Sequence, residues 1–92
     1  MVKIKKLNST ITETFLGMPL KELCIVPIIV VYKSPKDFPG KYVARLWDIH
    51  NRPTAYAMVK DSLDDVRKGI PKTMNRLPPA PIDDPVIVET WL

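Results

Sequence analysis

The sequence predicts an α+β fold, with a mostly antiparallel sheet of about four strands in the order β-β-β-α-β, one short helix on one face and an N-terminal arm or hairpin. Three observations predict this class: β-branched or alternating runs, one short segment with helical spacing, and turn residues between them. The chain has 92 residues, of which 46% are hydrophobic and 26% charged. A chain of this size builds one core, so residues 1–92 are predicted to form a single domain.

Residues 1–24 are predicted to form the arm or hairpin that precedes an α+β core of residues 25–92. Residues 2–7 could pair with residues 10–16 in a hairpin, because threonines alternate with other side chains in the second segment and threonine favours a pleated surface. An arm laid on a partner is the other possibility. Pro19 is expected to open one helical turn before the chain enters the core.

The first core strand is predicted over residues 25–33, a β-branched run typical of a strand that is buried on both faces. Pro27 cannot donate a hydrogen bond to a neighbouring strand, so it must lie at the beginning of the strand or where no neighbour pairs with it. Pro39-Gly40 then reverses the chain. Two further strands, residues 41–49 and residues 54–60, complete an antiparallel meander.

The second strand of this meander alternates so that its side chains divide between two faces. One face is expected to carry Tyr42, Ala44 and Leu46, and the other Lys41, Val43, Arg45 and Trp47. Aromatic and basic residues therefore share one surface of the strand.

A short helix is predicted over residues 62–70. Ser62 can cap the first turn, and Asp65 stands at the position that completes a capping box. Apolar residues follow at helical spacing, and Pro71 is expected to end the helix. Because a helix of this length is not stable alone, it must lie on the sheet.

The remaining segment begins with an extended connection, residues 72–85, which contains four prolines. We interpret it as a structural strap, although a proline-rich segment can also be a ligand for aromatic grooves. Residues 86–92 form the last predicted strand, and alternation assigns its side chains to two faces. Ile87, Glu89 and Trp91 are expected on one face, and Val86, Val88 and Thr90 on the other.

The formal charge of +4 is unevenly distributed along the chain. Residues 1–60 carry 10 basic and 4 acidic residues, a net charge of +6, whereas residues 61–92 carry 4 and 6, a net charge of −2. A basic surface can attract nucleic acid or an acidic protein, although scattered lysines also serve solubility alone. If the protein binds nucleic acid, the expected site combines phosphate contacts with aromatic stacking, from Lys41, Arg45, Trp47 and Arg52.

Residues suited to catalysis or metal binding are scarce in the sequence. A nucleophile needs a neighbouring base, and the one thiol, Cys24, precedes a buried strand, whereas the one imidazole, His50, lies in a polar turn. A structural zinc site needs four Cys or His ligands. The carboxylate pairs Asp64-Asp65 and Asp83-Asp84 fit a helix cap and a turn. We therefore predict no enzyme activity, no cofactor and no metal site.

The single cysteine excludes an internal disulfide bond and favours a reducing compartment. The polar run Asn8-Ser9-Thr10 stands where a signal peptide needs an apolar segment. The longest apolar run is too short to cross a bilayer. The sequence therefore predicts a cytoplasmic protein that does not bind membranes.

Two segments carry short motifs, Gly40-Lys41-Tyr42-Val43-Ala44-Arg45-Leu46-Trp47-Asp48 and Asp61-Ser62-Leu63-Asp64-Asp65-Val66. The first resembles the G-x-Y-V strand of HicB-like antitoxin domains, and the second resembles the helix start of the same family. The order of three strands, one helix and one strand is similar too. The resemblance covers residues 25–70 and implies a module that binds a small toxin protein.

These observations predict a small, non-catalytic cytoplasmic module with a binding or structural role. One short helix cannot cover a whole sheet, so the other face, an edge strand or the N-terminal arm should meet another chain. The expected partner is a second copy, giving a homo-oligomer, or another protein. The alternative is a nucleic-acid-binding or HicB-like antitoxin module that binds a small protein partner.

Overall fold

The computed structural model describes residues 10–48, 52–79 and 85–92, apart from the side chains of residues 52 and 53. These residues form a small α+β fold, which confirms the predicted class. The elements in chain order are β1 (Thr10–Ile11), α1 (Leu20–Leu23), β2 (Pro27–Lys33), β3 (Tyr42–Asp48), β4 (Arg52–Lys60), α2 (Leu63–Lys68), β5 (Arg76–Leu77) and β6 (Ile87–Trp91).

The strands of the described residues form one mixed sheet in the order β1-β4-β3-β2-β6-β5. The predicted meander is present as β2, β3 and β4, and β6 pairs antiparallel with β2. The expectation of about four strands is corrected by a two-residue strand at each edge. β1 runs parallel to β4, and β5 runs antiparallel to β6. β5 is too short to show hydrophobic alternation, whereas β1 lies within residues 10–16, which the hairpin prediction already treated as extended.

Two prolines lie where their chemistry requires. Pro27 is the first residue of β2, opposite Asp48, as predicted for a residue that lacks a backbone N–H. Pro19 is the N-cap of the one-turn helix α1, which confirms the predicted helical turn. Both residues therefore mark the beginning of an element rather than interrupt one.

The N-terminal segment packs against the rest of the fold through its later residues. Phe15 is fully buried, and its backbone N–H donates to the carbonyl of Gly69 at 2.9 Å. Of the predicted hairpin, residues 2–7 lie outside the described residues, and Thr10 and Ile11, which are exposed, pair with β4. The core cluster consists of Phe15, Leu20, Cys24, Ile29, Val31, Ala44, Leu46, Met58, Val66 and Ile70.

Helix α2 begins as predicted. Ser62 is its N-cap, and the Ser62 side chain accepts a hydrogen bond from the backbone N–H of Asp65 at 3.1 Å. The helix ends at Lys68, two residues before the predicted end, because Gly69 forms the C-cap. Val66 anchors the helix in the core cluster.

A β-bulge changes the predicted faces of the last strand. Glu89 and Trp91 lie opposite buried residues of β2, on the face that the helices cover. The register then shifts, so that Ile87 lies opposite Tyr32 on the other face. The prediction that Ile87 shares a face with Glu89 and Trp91 is therefore wrong, because a bulge breaks the two-residue period of a strand.

Candidate binding surface

The face of the sheet opposite the helices carries a groove between β2, β3 and β6. The antiparallel register places Ile28 opposite Trp47 and Val30 opposite Arg45. The cavity has a volume of about 240 Å³. We call it the sheet groove, and its apolar lining consists of five half-buried side chains, Ile28, Val30, Tyr32, Trp47 and Ile87.

A second hollow of about 580 Å³ adjoins the sheet groove and shares Tyr32 and Trp47 with it. Its other wall is the loop between β2 and β3, residues 34–37. This loop reverses tightly because Ser34 and Gly40 adopt left-handed backbone angles, and the Ser34 hydroxyl accepts a hydrogen bond from the Gly40 N–H at 2.9 Å. The loop thereby extends the groove beyond the strands.

The indole of Trp47 lines the sheet groove with its apolar surface and forms no hydrogen bond with a described residue. Its Nε1 atom is shielded from solvent and has no hydrogen-bond partner among the described residues. Leaving such a donor unsatisfied costs about 1–3 kcal/mol. By contrast, Nε1 of Trp91 on the other face donates to Glu89 at 2.8 Å. Packing in the groove therefore holds Trp47 in place despite this cost.

Charges of both signs surround the sheet groove. The guanidinium of Arg45 donates to the carboxylate of Asp37 in the adjoining loop. Asp48, which lines the groove, accepts a hydrogen bond from the backbone N–H of Ile25 at 3.1 Å. Lys36 lies exposed in the loop. Among the described residues, the sheet groove and the adjoining hollow together are thus bordered by two cations and two anions.

Of the four residues predicted to bind nucleic acid, the structure describes the side chains of three and brings two of these together. Arg45 and Trp47 share a face and line the hollow, as the alternation predicts. Lys41 lies at the other end of β3 from Arg52, whose backbone pairs opposite Asp48. Seven strand residues span about 23 Å, so the four residues form no compact cluster. The side chain of Arg52 lies outside the described part of the chain.

Lys41 is engaged by an acidic neighbour. Its ammonium group pairs with the carboxylate of Asp61, the residue that follows β4. The hydrogen bond from Lys41, together with its charge, lowers the pKa of Asp61. A phosphate at Lys41 would therefore compete with this carboxylate.

A buried carboxylate on the helix-covered face was missed by the sequence analysis. The side chain of Glu89 in β6 is 2% exposed. It accepts hydrogen bonds from Arg67 Nη2 at 2.7 Å, Arg67 Nε at 3.1 Å and Trp91 Nε1 at 2.8 Å. A glutamate within an otherwise apolar strand, with an arginine on the preceding helix, was the only available signal. The cluster ties α2 to β6.

Two opposing effects act on the pKa of Glu89. Burial raises the pKa, because a carboxylate loses hydration. The hydrogen bonds from Arg67 and Trp91, with the charges of Arg67 and Arg76, act in the other direction and lower the pKa overall. Glu89 is therefore charged at neutral pH.

The residues considered for catalysis do not form a site in the described part of the chain. Cys24 lies in the core cluster, 3% exposed, and burial followed by the charge of Asp48 raises the pKa of its thiol. A protonated, buried thiol is a poor nucleophile. His50 and the pair Asp83-Asp84 lie outside the described residues.

Two further properties concern cations and membranes. Within residues 10–48, 52–79 and 85–92, no three His, Cys, Asp or Glu side chains are grouped in a way that could hold a metal ion. Over the same ranges, no helix has the length and apolar character needed to cross a membrane.

Comparison with known proteins adds no relative. No family model, curated protein or solved structure matches the chain. The resemblance to HicB-like domains therefore stays a prediction, and functional inference rests on the surface itself.

Proposed function

We propose that this protein is a small, non-catalytic cytoplasmic binding module that self-associates through the sheet groove. The observation that carries the proposal is the set of five half-buried apolar side chains on the face opposite α2. Clustered apolar surface bordered by polar residues is typical of protein–protein interfaces. We take the molecule that covers the sheet groove to be a second copy of the chain.

The size of the hydrophobic contribution favours a weak dimer. Complete burial of a large apolar side chain contributes about 1.5–3 kcal/mol, and most of each of these side chains is already covered, so each has roughly 0.5 kcal/mol left to gain. Five such residues from each of two copies supply about 5 kcal/mol, near the lower end of the roughly 4–15 kcal/mol that association costs. We therefore expect dimers that dissociate on dilution.

The charges at the border of the groove suit a two-fold dimer. In such an interface, each residue meets the same surface patch of the other copy, so the patch must complement itself. Lys36 and Arg45 provide cations, and Asp37 and Asp48 provide anions, around one apolar centre. A surface with only one sign of charge would repel its own copy.

Sedimentation equilibrium over micromolar to submillimolar concentrations tests the proposal. Val30→Thr keeps the β-branched shape and strand preference of residue 30 but places a hydroxyl in the groove. Because a symmetric dimer contains the change twice, we expect a loss of about 2 kcal/mol, or roughly 30-fold weaker dimerisation.

Val26→Thr is the matched control, because Val26 is equally β-branched but lies outside the sheet groove. It should leave the dimerisation constant unchanged. A wild-type chain that stays monomeric at submillimolar concentration would contradict the proposal. So would a dimer that is equally sensitive to both substitutions.

Nucleic-acid binding is a second candidate, favoured by the shared position of Arg45 and Trp47 beside Tyr32. Bases stack on aromatic rings while cations contact phosphates. The guanidinium of Arg45 would then exchange Asp37 for a phosphate. Exposed ion pairs contribute only about 0–1 kcal/mol, so this exchange is not prohibitive.

Binding of mixed-sequence single-stranded DNA, measured by fluorescence anisotropy at increasing salt, distinguishes this candidate. Release of counterions predicts that affinity falls steeply with salt concentration, and Arg45→Gln should flatten that dependence. Absence of binding at low salt would eliminate the candidate. The proposal of self-association does not depend on that result.

A further inference from the structure

A second groove lies at a corner of the molecule, on the other face of the sheet from the sheet groove. It is lined by Phe15, residues 17–21, residues 26–27, Pro71, Thr73, Met74 and Leu92. We call it the corner groove, and its volume is about 580 Å³. Phe15 and Leu20 form its buried base. The corner groove is therefore an open, mostly apolar depression on the helix-covered side of the sheet.

Of the seven large apolar side chains that are exposed among the described residues, two line this groove and two more are adjacent in sequence to lining residues. Val26 and Leu92, both more than 40% exposed, line it directly. Leu16 and Ile25 are chain neighbours of lining residues, and Ile25 is 74% exposed. A small molecule within the groove would leave these flanking side chains in water. A polypeptide lying across the corner would cover them too.

The charge at the corner groove is positive and unengaged. Lys21 lines the groove and forms no ion pair with any residue that the structure describes. Lys72 lies exposed between Pro71 and Thr73, which also line the groove. At the sheet groove, Arg45 already has Asp37 as a partner, and Lys36 is the exposed cation. At the corner groove, Lys21 and Lys72 stand beside an apolar surface without a side-chain carboxylate in its lining, so a partner's carboxylates would complement them.

We propose that the corner groove binds an acidic amphipathic segment of another protein. The apolar side chains of that segment pack against the groove, and its carboxylates lie beside Lys21 and Lys72. Met18 and Met74 form two walls, and methionine side chains adapt their shape to different apolar surfaces. This inference does not depend on self-association through the sheet groove.

Selection from a random peptide library displayed on phage tests the sequence preference. The full-length protein is the target, and we expect enriched peptides to combine apolar residues with Asp or Glu. Their affinity should fall at least tenfold with Lys21→Glu and with Val26→Asp. Val30→Thr, which changes the other groove, should leave the affinity unchanged.

Methionine methyl NMR locates the binding without relying on a substitution. Signals of Met18 and Met74 should shift when an enriched peptide is added. The signal of Met58, which is fully buried in the core, should stay in place. An unchanged Met58 signal in the spectra of Lys21→Glu and Val26→Asp would separately show that these variants remain folded.

Three outcomes would overturn the proposal. The library could yield no peptide that requires the corner groove, or the enriched peptides could be basic. Alternatively, decanoate could shift the Met18 and Met74 signals while no peptide is selected, which would make the groove a site for small amphipathic anions. None of these results would alter the dilution behaviour expected of the dimer.

Discussion

Burial of the Glu89 carboxylate carries a large cost in hydration free energy. Burying a carboxylate is costly unless hydrogen bonds and an opposite charge compensate for the lost hydration. Arg67 supplies two hydrogen bonds and the charge, and Trp91 supplies a third hydrogen bond. Arg67 is 38% exposed, so solvent weakens its attraction for Glu89. The cluster is best understood as a specific link between helix and strand.

The lowered pKa of Glu89 predicts a loss of stability in acid. The folded protein holds this proton less tightly than the unfolded chain, whose glutamate pKa is about 4.3. The contribution of Glu89 is therefore fully present above that pH and is lost as the pH falls through the folded pKa. Urea denaturation between pH 7 and pH 3 should show a decline that Glu89→Gln makes shallower.

Glu89→Gln should also reduce the free energy of unfolding at neutral pH by about 2 kcal/mol, because hydrogen bonds to a charged group are stronger than neutral ones. Glu13→Gln is the matched control, since Glu13 also pairs with a cation, Lys60, but is 93% exposed. It should change stability little. Equal effects from both substitutions would show that the buried cluster has no special role.

Gly69 lies where a larger side chain does not fit. A Cβ atom at this position would lie 2.9 Å from Met58 Cε and 3.2 Å from Thr14 Oγ1. Because Met58 is fully buried, it cannot easily move aside. We expect Gly69→Ala to reduce the free energy of unfolding by about 1–3 kcal/mol, as overpacking of a core usually does.

Combining Gly69→Ala with Met58→Val provides the control in chemical denaturation. The shorter valine leaves room for the new methyl group, so the two changes together should cost less than the sum of each alone. Strictly additive costs would show that the methyl group and Met58 do not compete for space.

At the scale of residues, the sequence was enough to place residues whose position depends only on their own backbone chemistry. Pro27 and Pro19 were placed correctly because their missing N–H restricts them wherever they occur. Glu89 was not recognised, because its partner Arg67 is distant in sequence and only the fold brings them together. Phe15 was missed for the same reason, since its neighbours come from α2 and the sheet.

Among the elements, α2 depends most clearly on its cap. The Ser62 hydroxyl satisfies the backbone N–H of Asp65, which has no partner within the helix. Ser62→Ala should reduce the free energy of unfolding by about 1 kcal/mol, measured by thermal or urea denaturation. Ser62→Asp should retain most of the stability, because aspartate also caps helices. If alanine and aspartate behaved alike, the cap would contribute nothing.

The longer elements could be predicted from the sequence, whereas the pairing of the two shortest strands could not. The strands β2, β3, β4 and β6 and the helix α2 each span enough residues to show a period or a cap. β1 and β5 have two residues each and exist only because a longer strand offers its edge. The bulge in β6 was equally hidden, since it depends on how the strand aligns with β2.

At the scale of the whole molecule, both grooves result from topology. The sheet groove requires β6 to lie beside β2, which places Ile87 next to Tyr32. The corner groove requires residues 15–27 to meet residues 71–74 and Leu92. Alternation correctly predicted that Arg45 and Trp47 share a face, and the strand predicted over residues 41–49 already separated Lys41, at its start, from Arg52, beyond its end.

The place of β6 in the sheet has a consequence for how the chain reaches its native state. β2 lies at the centre of the sheet, and one of its two neighbours is the last strand of the chain. Contacts between segments so distant in sequence slow folding, because a long loop must close before the pairing stabilises it. Until β6 arrives, one edge of β2 presents unpaired backbone groups that another chain could bind. The pairing of β6 with β2 therefore affects both the rate of folding and the exposure of a strand edge that could aggregate.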